Sequence, residues 1–196
     1  AVFGVGVLRF DRLFREIARR AGYAAPVASD VQRELIVEEA VRGARLELLA
    51  ESAGQPGFVH AAVRFVAEVE RSMVEPARFT QGLRAWAGDG PRQRYADEVA
   101  AIYRGYRARL EAAGLVDAEL FAWRALDALR AAPDGWGQTP LFVYGFDDFD
   151  PLQLDALDAI ANRCGADVTV SLPYEAGRTA FRAVATAHQE LLARGA

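Results

Sequence analysis

The segment Leu141-Phe-Val-Tyr-Gly-Phe-Asp-Asp-Phe-Asp-Pro-Leu-Gln-Leu-Asp-Ala-Leu157 indicates how this chain folds. Its first four residues, Leu141 to Tyr144, form an apolar run typical of a buried strand. Asp150-Pro151 is typical of a helix start, since aspartate caps a helix and proline fits its first position; this helix is predicted to end at Cys164. A second strand is predicted at Asp167 to Leu172. Strand, helix and strand in this order predict parallel pairing through a right-handed crossover.

The rest of the chain is predicted to be mainly helical. Apolar residues at helical spacing predict a helix closed by Gly22, a helical middle and a last helix from Arg178 to Arg194. The helices of the middle part are predicted at 29–54, 58–73, 75–87, 92–113 and 117–132, and either Ser29 or Asp30 is the predicted cap of the first of them. Val2 to Leu8 is predicted to be a buried strand of the same sheet. The predicted fold class is therefore α/β: mainly helical, with a partial parallel sheet and a large all-α insertion.

The composition limits both the architecture and the chemistry. Apolar residues make up 52% of the 196 residues, enough for one large domain or two small ones with a sizeable core. All 23 basic residues are arginines. A P-loop needs a lysine to reach the nucleotide phosphates, and Schiff-base catalysis needs a lysine amine, so the sequence excludes both. The net charge of −4 argues against a surface that is strongly basic overall.

Cysteine usage and hydropathy indicate the compartment. The single Cys164 cannot form an internal disulfide or a zinc site made of several cysteines, so a reducing cytoplasm is expected. No apolar run approaches the roughly 20 residues of a membrane span, and no membrane partner is expected. The chain begins with a predicted strand and ends with a predicted helix, from which we expect a piece of a longer protein.

The acidic turn Asp147-Asp148-Phe149-Asp150 has two interpretations. Paired carboxylates hold magnesium in phosphoryl-transfer sites, which makes the three aspartates candidates for metal-assisted chemistry. Alternatively, Asp150 is only the helix cap, and Asp147 and Asp148 are solvated turn residues. No other carboxylate cluster and no histidine is an evident partner in the sequence, which favours the second interpretation. No catalytic residue and no metal ligand is therefore predicted.

Two groups of arginines are candidates for contact with phosphate. The first group lies on the predicted first helix, where it would either meet phosphate or form a solvated face; it consists of Arg12, Arg15, Arg19 and Arg20. The second group alternates with Tyr103 and Tyr106, a pattern that can bind a single strand by stacking and charge; it consists of Arg104, Arg107 and Arg109. Because both tyrosines fall on the apolar stripe of their helix, core packing is the favoured interpretation for them.

Three stretches together resemble the first motor domain of UvrD-like superfamily 1 helicases. They are Leu8-Arg-Phe-Asp-Arg-Leu-Phe-Arg-Glu-Ile-Ala-Arg-Arg-Ala-Gly22, Ile102-Tyr-Arg-Gly-Tyr-Arg-Ala-Arg-Leu-Glu-Ala-Ala-Gly-Leu-Val-Asp117, and Phe142 to Leu157. The first is similar to the strand and helix that meet single-stranded DNA in this family, which implies DNA contact by Arg9, Phe10 and Arg12. The second is similar to the helix pair that precedes the Walker B strand.

The third stretch departs from the family where active helicases hold magnesium. In active members the strand ends in Asp-Glu, and Tyr144 and Gly145 stand at those positions here. The family's glutamine falls at Asp147, and its next aspartate is kept as Asp148. Together with Val168-Thr-Val-Ser-Leu-Pro-Tyr-Glu175, this degenerate Walker B region looks most like AddB-type subunits of bacterial ATP-dependent helicase–nucleases, which process double-strand breaks.

The resemblance implies two parts and a non-catalytic role. Residues 1–24 and 133–196 would form the helicase 1A-like α/β part, and residues 25–132 the inserted helical 1B-like subdomain. The expected function is a DNA-holding and subunit-docking scaffold in a helicase/exonuclease subunit of double-strand break repair and recombination. Expected partners are DNA, single-stranded or as a duplex end, and a partner helicase–nuclease subunit. No cofactor is expected in this fragment; ATP and Mg2+ would belong to the parent protein.

Two other functions stay open at this point. One is a metal-dependent phosphodiesterase that uses Asp147, Asp148 and Asp150. The other is a helical protein-interaction module, which predicts an exposed apolar face on the helices from 58 to 113 and no basic groove.

Overall fold

The computed structural model describes residues 6–195. In chain order, the α-helices are α1 (Phe10–Arg20), α2 (Asp30–Gly43), α3 (Ala50–Ala53), α4 (Phe58–Arg71), α5 (Pro76–Ala87), α6 (Arg92–Ala112), α7 (Ala118–Ala131), α8 (Pro151–Asp158) and α9 (Ala185–Leu192). The strands are β1 (Leu141–Val143) and β2 (Val168–Val170). Short 3-10 turns lie at Pro133–Gly135 and Thr179–Phe181, and α8 continues as a π-helical segment over Ala159–Arg163. The fold is mainly helical, at 62%, with a small parallel sheet, and the predicted class is confirmed.

The described chain divides into two compact units. The end unit contains the residues up to 24 and those from 122 onward, and the helical unit contains residues 25–121. The assignment of the two parts to helicase subdomains, with a boundary after residue 132, stays a prediction. None of the described helices has the length and apolar character that a membrane span requires.

The sheet of the end unit consists of β1 and β2 in parallel, as predicted. Leu141, Phe142 and Val143 pair in register with Val168, Thr169 and Val170. Alternate side chains of a strand point to opposite faces. Val143 is buried and packs with Leu154 and Leu157 of α8 and Leu191 of α9, whereas Phe142 is 73% exposed. One face of this small sheet therefore carries the core of the end unit.

The strand predicted at Val2 to Leu8 is wrong over the residues that the structure describes. Gly6, Val7 and Leu8 are not in a strand, and Val7 is 97% exposed. The part of this prediction that concerns Val2 to Val5 lies outside the described residues. An apolar pattern indicates a tendency to be buried, but a strand also needs a neighbour that accepts its backbone hydrogen bonds.

Two predicted helices are shorter in the structure. The helix for which Ser29 or Asp30 was the predicted cap begins with a capping box between Ser29 and Gln32, so Ser29 is the cap, but it ends at Gly43 instead of near Gly54. The carboxylate of Glu98 accepts hydrogen bonds from the backbone N–H groups of 47, 48 and 49 at 2.8–2.9 Å, which holds this segment outside the helix. The last helix was predicted to begin at Arg178. In the structure a 3-10 turn occupies 179–181, and α9 begins only at residue 185.

The core of the helical unit is formed by α2, α4 and α6. Its most deeply buried apolar and aromatic side chains are Val37, Val66, Tyr103, Tyr106 and Leu110. The prediction that both tyrosines pack in the core is confirmed, since each is fully buried. The two ends of the unit are joined by a parallel bridge between Val27 and Val116.

Each buried tyrosine hydroxyl of the helical unit meets a buried carboxylate. The Tyr103 hydroxyl donates to Glu70 over 3.0 Å, and the Arg107 guanidinium lies 3.1 Å from the same carboxylate. The Tyr106 hydroxyl donates to Asp117 over 2.6 Å. Asp117 also accepts a hydrogen bond from the backbone N–H of residue 120 over 2.7 Å, so the predicted cap of α7 is confirmed. A buried carboxylate is stable only with such partners.

Burial raises the pKa of Glu70 to about 7, and the nearby charge of Asp117 adds to this effect while Arg107 opposes it. The folded state therefore binds this proton more tightly than the unfolded chain does. The contribution of Glu70 to the free energy of unfolding is fully present below about pH 4.5 and is lost as the pH rises through about 7.

We expect the free energy of unfolding of the native chain, measured relative to Glu70→Gln, to fall by on the order of 2 kcal/mol between pH 5 and pH 8. The measurement is urea denaturation followed by circular dichroism at several pH values. Glu68→Gln, at an exposed position of the same helix, should show no such pH-dependent difference. A difference for Glu70→Gln that is constant across this range would contradict a raised pKa.

Candidate functional site at the acidic turn

An aromatic cluster joins the start of α1 to the acidic turn that follows β1. The ring of Phe10 lies edge-on to Phe146, with centroids 5.0 Å apart, and 6.2 Å from Phe149. Phe146 and Phe149 stack on each other at 5.8 Å, and Phe149 is only 5% exposed. The two segments that sequence reasoning selected, one at each end of the chain, are therefore in contact. Phe10 is partly buried by this packing and belongs to the margin of the end-unit core.

The other end of α1 is held by the loop that leads into β1. The Arg20 guanidinium donates to the carbonyl oxygen of Trp136 over 2.7 Å and to the Thr139 hydroxyl over 2.8 Å. It also lies 4.5 Å from the centre of the Trp136 ring, a cation–π contact. Gly135 permits the close approach, because a Cβ atom there would lie 2.6 Å from the Arg20 carbonyl oxygen. Both ends of α1 are thus fixed by segments that flank β1.

The arginines of α1 form two groups, which differ in whether they are paired with a carboxylate. Arg19 and Arg20 share the carboxylate of Glu16, each at 2.7 Å. Their hydrogen bonds lower the pKa of Glu16 to about 2, so its negative charge is kept across the physiological range. Arg12 and Arg15 are exposed and have no ion pair or hydrogen bond with the described part of the chain. The free positive charge of α1 therefore lies toward its first turns.

Arg9 is the N-cap residue of α1 and adds a further cation to that end. Its side chain is 85% exposed, and its guanidinium lies 3.2 Å from the half-exposed carboxylate of Asp11. Exposed pairs of this kind contribute little stability, so the guanidinium can exchange its partner for another anion at low cost.

The turn after β1 has the backbone of a glycine turn. Gly145 has a φ of +83°, in the left-handed region that favours glycine. Tyr144 is 83% exposed and Asp147 is also exposed. Asp148 accepts a hydrogen bond from the backbone N–H of Phe149 over 2.9 Å. The acidic side chains of this turn thus face solvent or hold the turn itself.

Asp150 caps α8, as predicted. Its carboxylate accepts a hydrogen bond from the backbone N–H of Gln153 over 2.8 Å, and the Gln153 side chain accepts one from the Asp150 backbone N–H over 3.1 Å. No group of three or more histidine, cysteine, aspartate or glutamate side chains with the arrangement of a metal site occurs between residues 6 and 195. The residues present at this turn do not fit a magnesium–nucleotide complex, because a phenol and a glycine stand at the two positions after the strand.

The structure therefore brings some of the predicted site residues together and leaves others apart. Phe10 contacts the turn that contains Gly145, Asp147 and Asp148 through Phe146, while Arg9 and Arg12 lie on the exposed start of α1. Contact of these residues with DNA stays a prediction. Sequence reasoning missed the role of Phe146 and Phe149. The available signal was an aromatic residue on each side of two exposed aspartates, a position where a solvated loop has no need of large apolar rings.

We expect Asp150→Ala to lower the free energy of unfolding by about 1 kcal/mol, because the first turn of α8 loses its side-chain cap. Urea denaturation of the whole chain measures the effect. Asp147→Ala removes the same charge from the same turn at an exposed position and should change stability by less than about 0.5 kcal/mol. Equal losses from the two substitutions would show that the cap is not what Asp150 contributes.

Comparison with known proteins identifies a family. The family model described as ADDB, N-terminal, matches residues 1–191, which include every described helix and strand except the last residue of α9. No curated protein matches the chain significantly.

Proposed function

The chain belongs to the AddB N-terminal family, and from this premise we propose that it is the DNA-holding and subunit-docking region of an AddB-type subunit in double-strand break repair and recombination. The match over residues 1–191 is the observation that carries the proposal. In this role the region resembles the first motor domain of a superfamily 1 helicase whose ATP chemistry has been lost. ATP hydrolysis and DNA cleavage would belong to other parts of the assembly.

The acidic turn supports a non-hydrolytic role. An active Walker B strand presents two carboxylates to magnesium and water, and here the corresponding positions are the exposed phenol of Tyr144 and the backbone turn at Gly145. Of the aspartates that follow, Asp148 and Asp150 accept hydrogen bonds from backbone N–H groups. These hydrogen bonds give both carboxylates a structural role, in the turn and at the start of α8.

The start of α1 supports DNA contact. Arg9 and Arg12 are exposed cations, and the packing of Phe10 on Phe146 and Phe149 fixes the orientation of the helix turn that carries them. Arginines that neutralise phosphates supply most of the affinity of sequence-independent binding, at the expense of strong salt dependence. In this proposal Phe10 positions the two arginines and does not itself stack on a base.

The alternative of a metal-dependent phosphodiesterase loses support from the same contacts. It requires the carboxylates of Asp147, Asp148 and Asp150 to converge on one cation. Asp150 instead caps α8 while Asp147 is exposed, which is the arrangement expected of a turn and a helix start.

Docking of a partner subunit is supported by an exposed apolar stripe in the helical unit. Val31 and Leu35 lie about one helical turn apart on α2 and are 68% and 53% exposed, and Val27, which precedes the helix, is 41% exposed. This stripe lies at the start of the unit and on α2. An exposed row of apolar side chains is typical of a protein–protein contact.

We expect the chain to bind a fluorescent single-stranded oligonucleotide, measured by anisotropy at several salt concentrations. The double substitution Arg9→Ala plus Arg12→Ala should remove two phosphate contacts. It should therefore reduce the slope of the logarithm of the binding constant against the logarithm of the salt concentration by about 1.4. Arg19→Ala is the matched control, because this α1 arginine is already paired with Glu16, and it should leave the slope nearly unchanged. Absence of saturable binding by the native chain at low salt would overturn the DNA-holding half of the proposal.

We expect Val31→Asp plus Leu35→Asp to abolish copurification with the ATP-hydrolysing helicase–nuclease subunit, since two charges in a buried apolar contact are strongly unfavourable. The measurement is affinity capture of the partner subunit by the tagged parent protein. Leu192→Asp, at an equally exposed apolar position of α9, should leave capture unchanged. Normal capture of the partner by the α2 variant, with an unchanged unfolding midpoint, would exclude this stripe as the docking surface.

A further inference from the structure

The helical unit contains an arginine-lined groove that the proposed function does not use. The groove lies between the end of α2, the segment that follows it, and α6, and has a volume of about 920 Å³. Its charged lining residues include Arg45, Glu47, Arg94, Asp97, Arg104 and Arg109. The chain is acidic overall. The charged residues of the groove nevertheless differ in how many ion pairs and hydrogen bonds they form with the rest of the protein.

The carboxylates of the groove are each held by the protein. Glu98, which also lines the groove, is 5% exposed and accepts the three backbone hydrogen bonds that end α2 at Gly43. Glu47 lies 2.8 Å from Arg94, and Asp97 accepts a hydrogen bond from Arg84 over 2.9 Å. The negative charges of the groove are therefore largely neutralised by hydrogen bonds and ion pairs.

Two of the groove arginines are free. Arg45 and Arg104 are exposed, and neither forms an ion pair or a hydrogen bond within the described residues. Their guanidinium groups add positive charge that no neighbouring carboxylate neutralises. A concave surface with such unpaired cations attracts anions.

Arg109 is placed in the groove by two glycines. Its Nη1 donates to the carbonyl oxygen of Gly105 over 3.0 Å, and a Cβ atom at Gly43 would lie 2.4 Å from its Nη2. The absence of a side chain at Gly43 thus makes room for the guanidinium between α2 and α6. The nearest acid is Glu39, at 3.9 Å, which is a weak pair. Because the side chain is already ordered, binding an anion costs little further conformational entropy.

An exposed aromatic pair lies next to this groove along the chain. Trp86 of α5 is 55% exposed and Tyr95 of α6 is 41% exposed, with ring centroids 6.5 Å apart. The Arg92 guanidinium lies over the Trp86 ring at 5.2 Å. The turn between these two helices carries Gly90 and Pro91, which line the groove. Large exposed rings that are not needed for the core are a recurrent feature of surfaces on which bases stack.

We propose that this groove and the adjacent aromatic pair bind single-stranded DNA, with Arg45, Arg104 and Arg109 on the phosphates and Trp86 and Tyr95 as a base-stacking platform. The inference deepens the proposed DNA-holding function and rests on it. Single strands are favoured over duplex because the faces of paired bases are not available for stacking. Single strands are also favoured over acidic peptides, because the carboxylates of a peptide would form ion pairs with the arginines but would not stack on the exposed rings.

The test is oligonucleotide binding by the whole chain with two kinds of variant. Arg45→Ala plus Arg104→Ala should weaken binding and reduce the slope of log K against log salt by about 1.4. Trp86→Ala should weaken binding about tenfold with the slope unchanged, and Trp86→Phe should restore most of the affinity because a stacking face is kept. Arg64→Ala, an exposed arginine of α4 outside the groove, is the matched control and should have little effect. Circular dichroism confirms that each variant is folded.

The outcomes separate this inference from the proposed function. If the native chain binds DNA and Arg9→Ala plus Arg12→Ala weakens it while the groove variants do not, the groove inference is wrong and the proposed function stands. If the native chain does not bind at low salt, the DNA-holding function itself fails. If polyglutamate competes as well as the oligonucleotide and Trp86→Ala has no effect, the groove takes acidic peptides and the inference is overturned.

Discussion

The contact of Phe10 with Phe146 and Phe149 is the interaction on which the arrangement of the end unit depends. It fixes the start of α1 against the turn that follows β1, while Arg20 fixes the other end against the loop that precedes this strand. A helix tied at both ends has little freedom to rotate about its axis. The exposed arginines on its first turns are consequently presented in a defined direction, which a DNA-holding surface requires.

The carboxylates explain how an acidic chain can present locally positive surfaces. The chain has 27 acidic and 23 basic residues, yet several of the acidic side chains accept hydrogen bonds from its own backbone. Asp117 and Asp150 cap helices, and Glu98 accepts three backbone N–H groups. These carboxylates stabilise local structure and project little charge to a ligand. Net charge is therefore a poor guide to the local charge of its surfaces, and the unpaired arginines are a better one.

The sequence predicted those features that arise from short-range interactions. The cap at Asp150, the cap at Asp117 and the parallel pairing of β1 with β2 depend on residues within one helix or on one crossover. The end of α2 at Gly43 was missed because it depends on Glu98, which is remote in sequence. The aromatic cluster and the arginine groove were missed for the same reason: each is formed by segments that only the tertiary fold brings together. The spacing of Arg104, Arg107 and Arg109 showed candidates for phosphate contact, but not that Arg107 is drawn toward Glu70 while Arg104 stays free.

At the acidic turn the backbone conformation, like the hydrogen bonds of its side chains, is that of a structural turn. With a φ of +83° at residue 145, any side chain other than glycine would cost about 1–2 kcal/mol in backbone strain. An acidic side chain at this position would therefore carry that strain or require a local change in the turn. Such a change would affect Phe146, the next residue, which contacts Phe10. In the proposed function the turn has a structural role: Tyr144 and Gly145 stand where hydrolysis would need carboxylates, and the neighbouring Phe146 and Phe149 hold the helix that we propose contacts DNA.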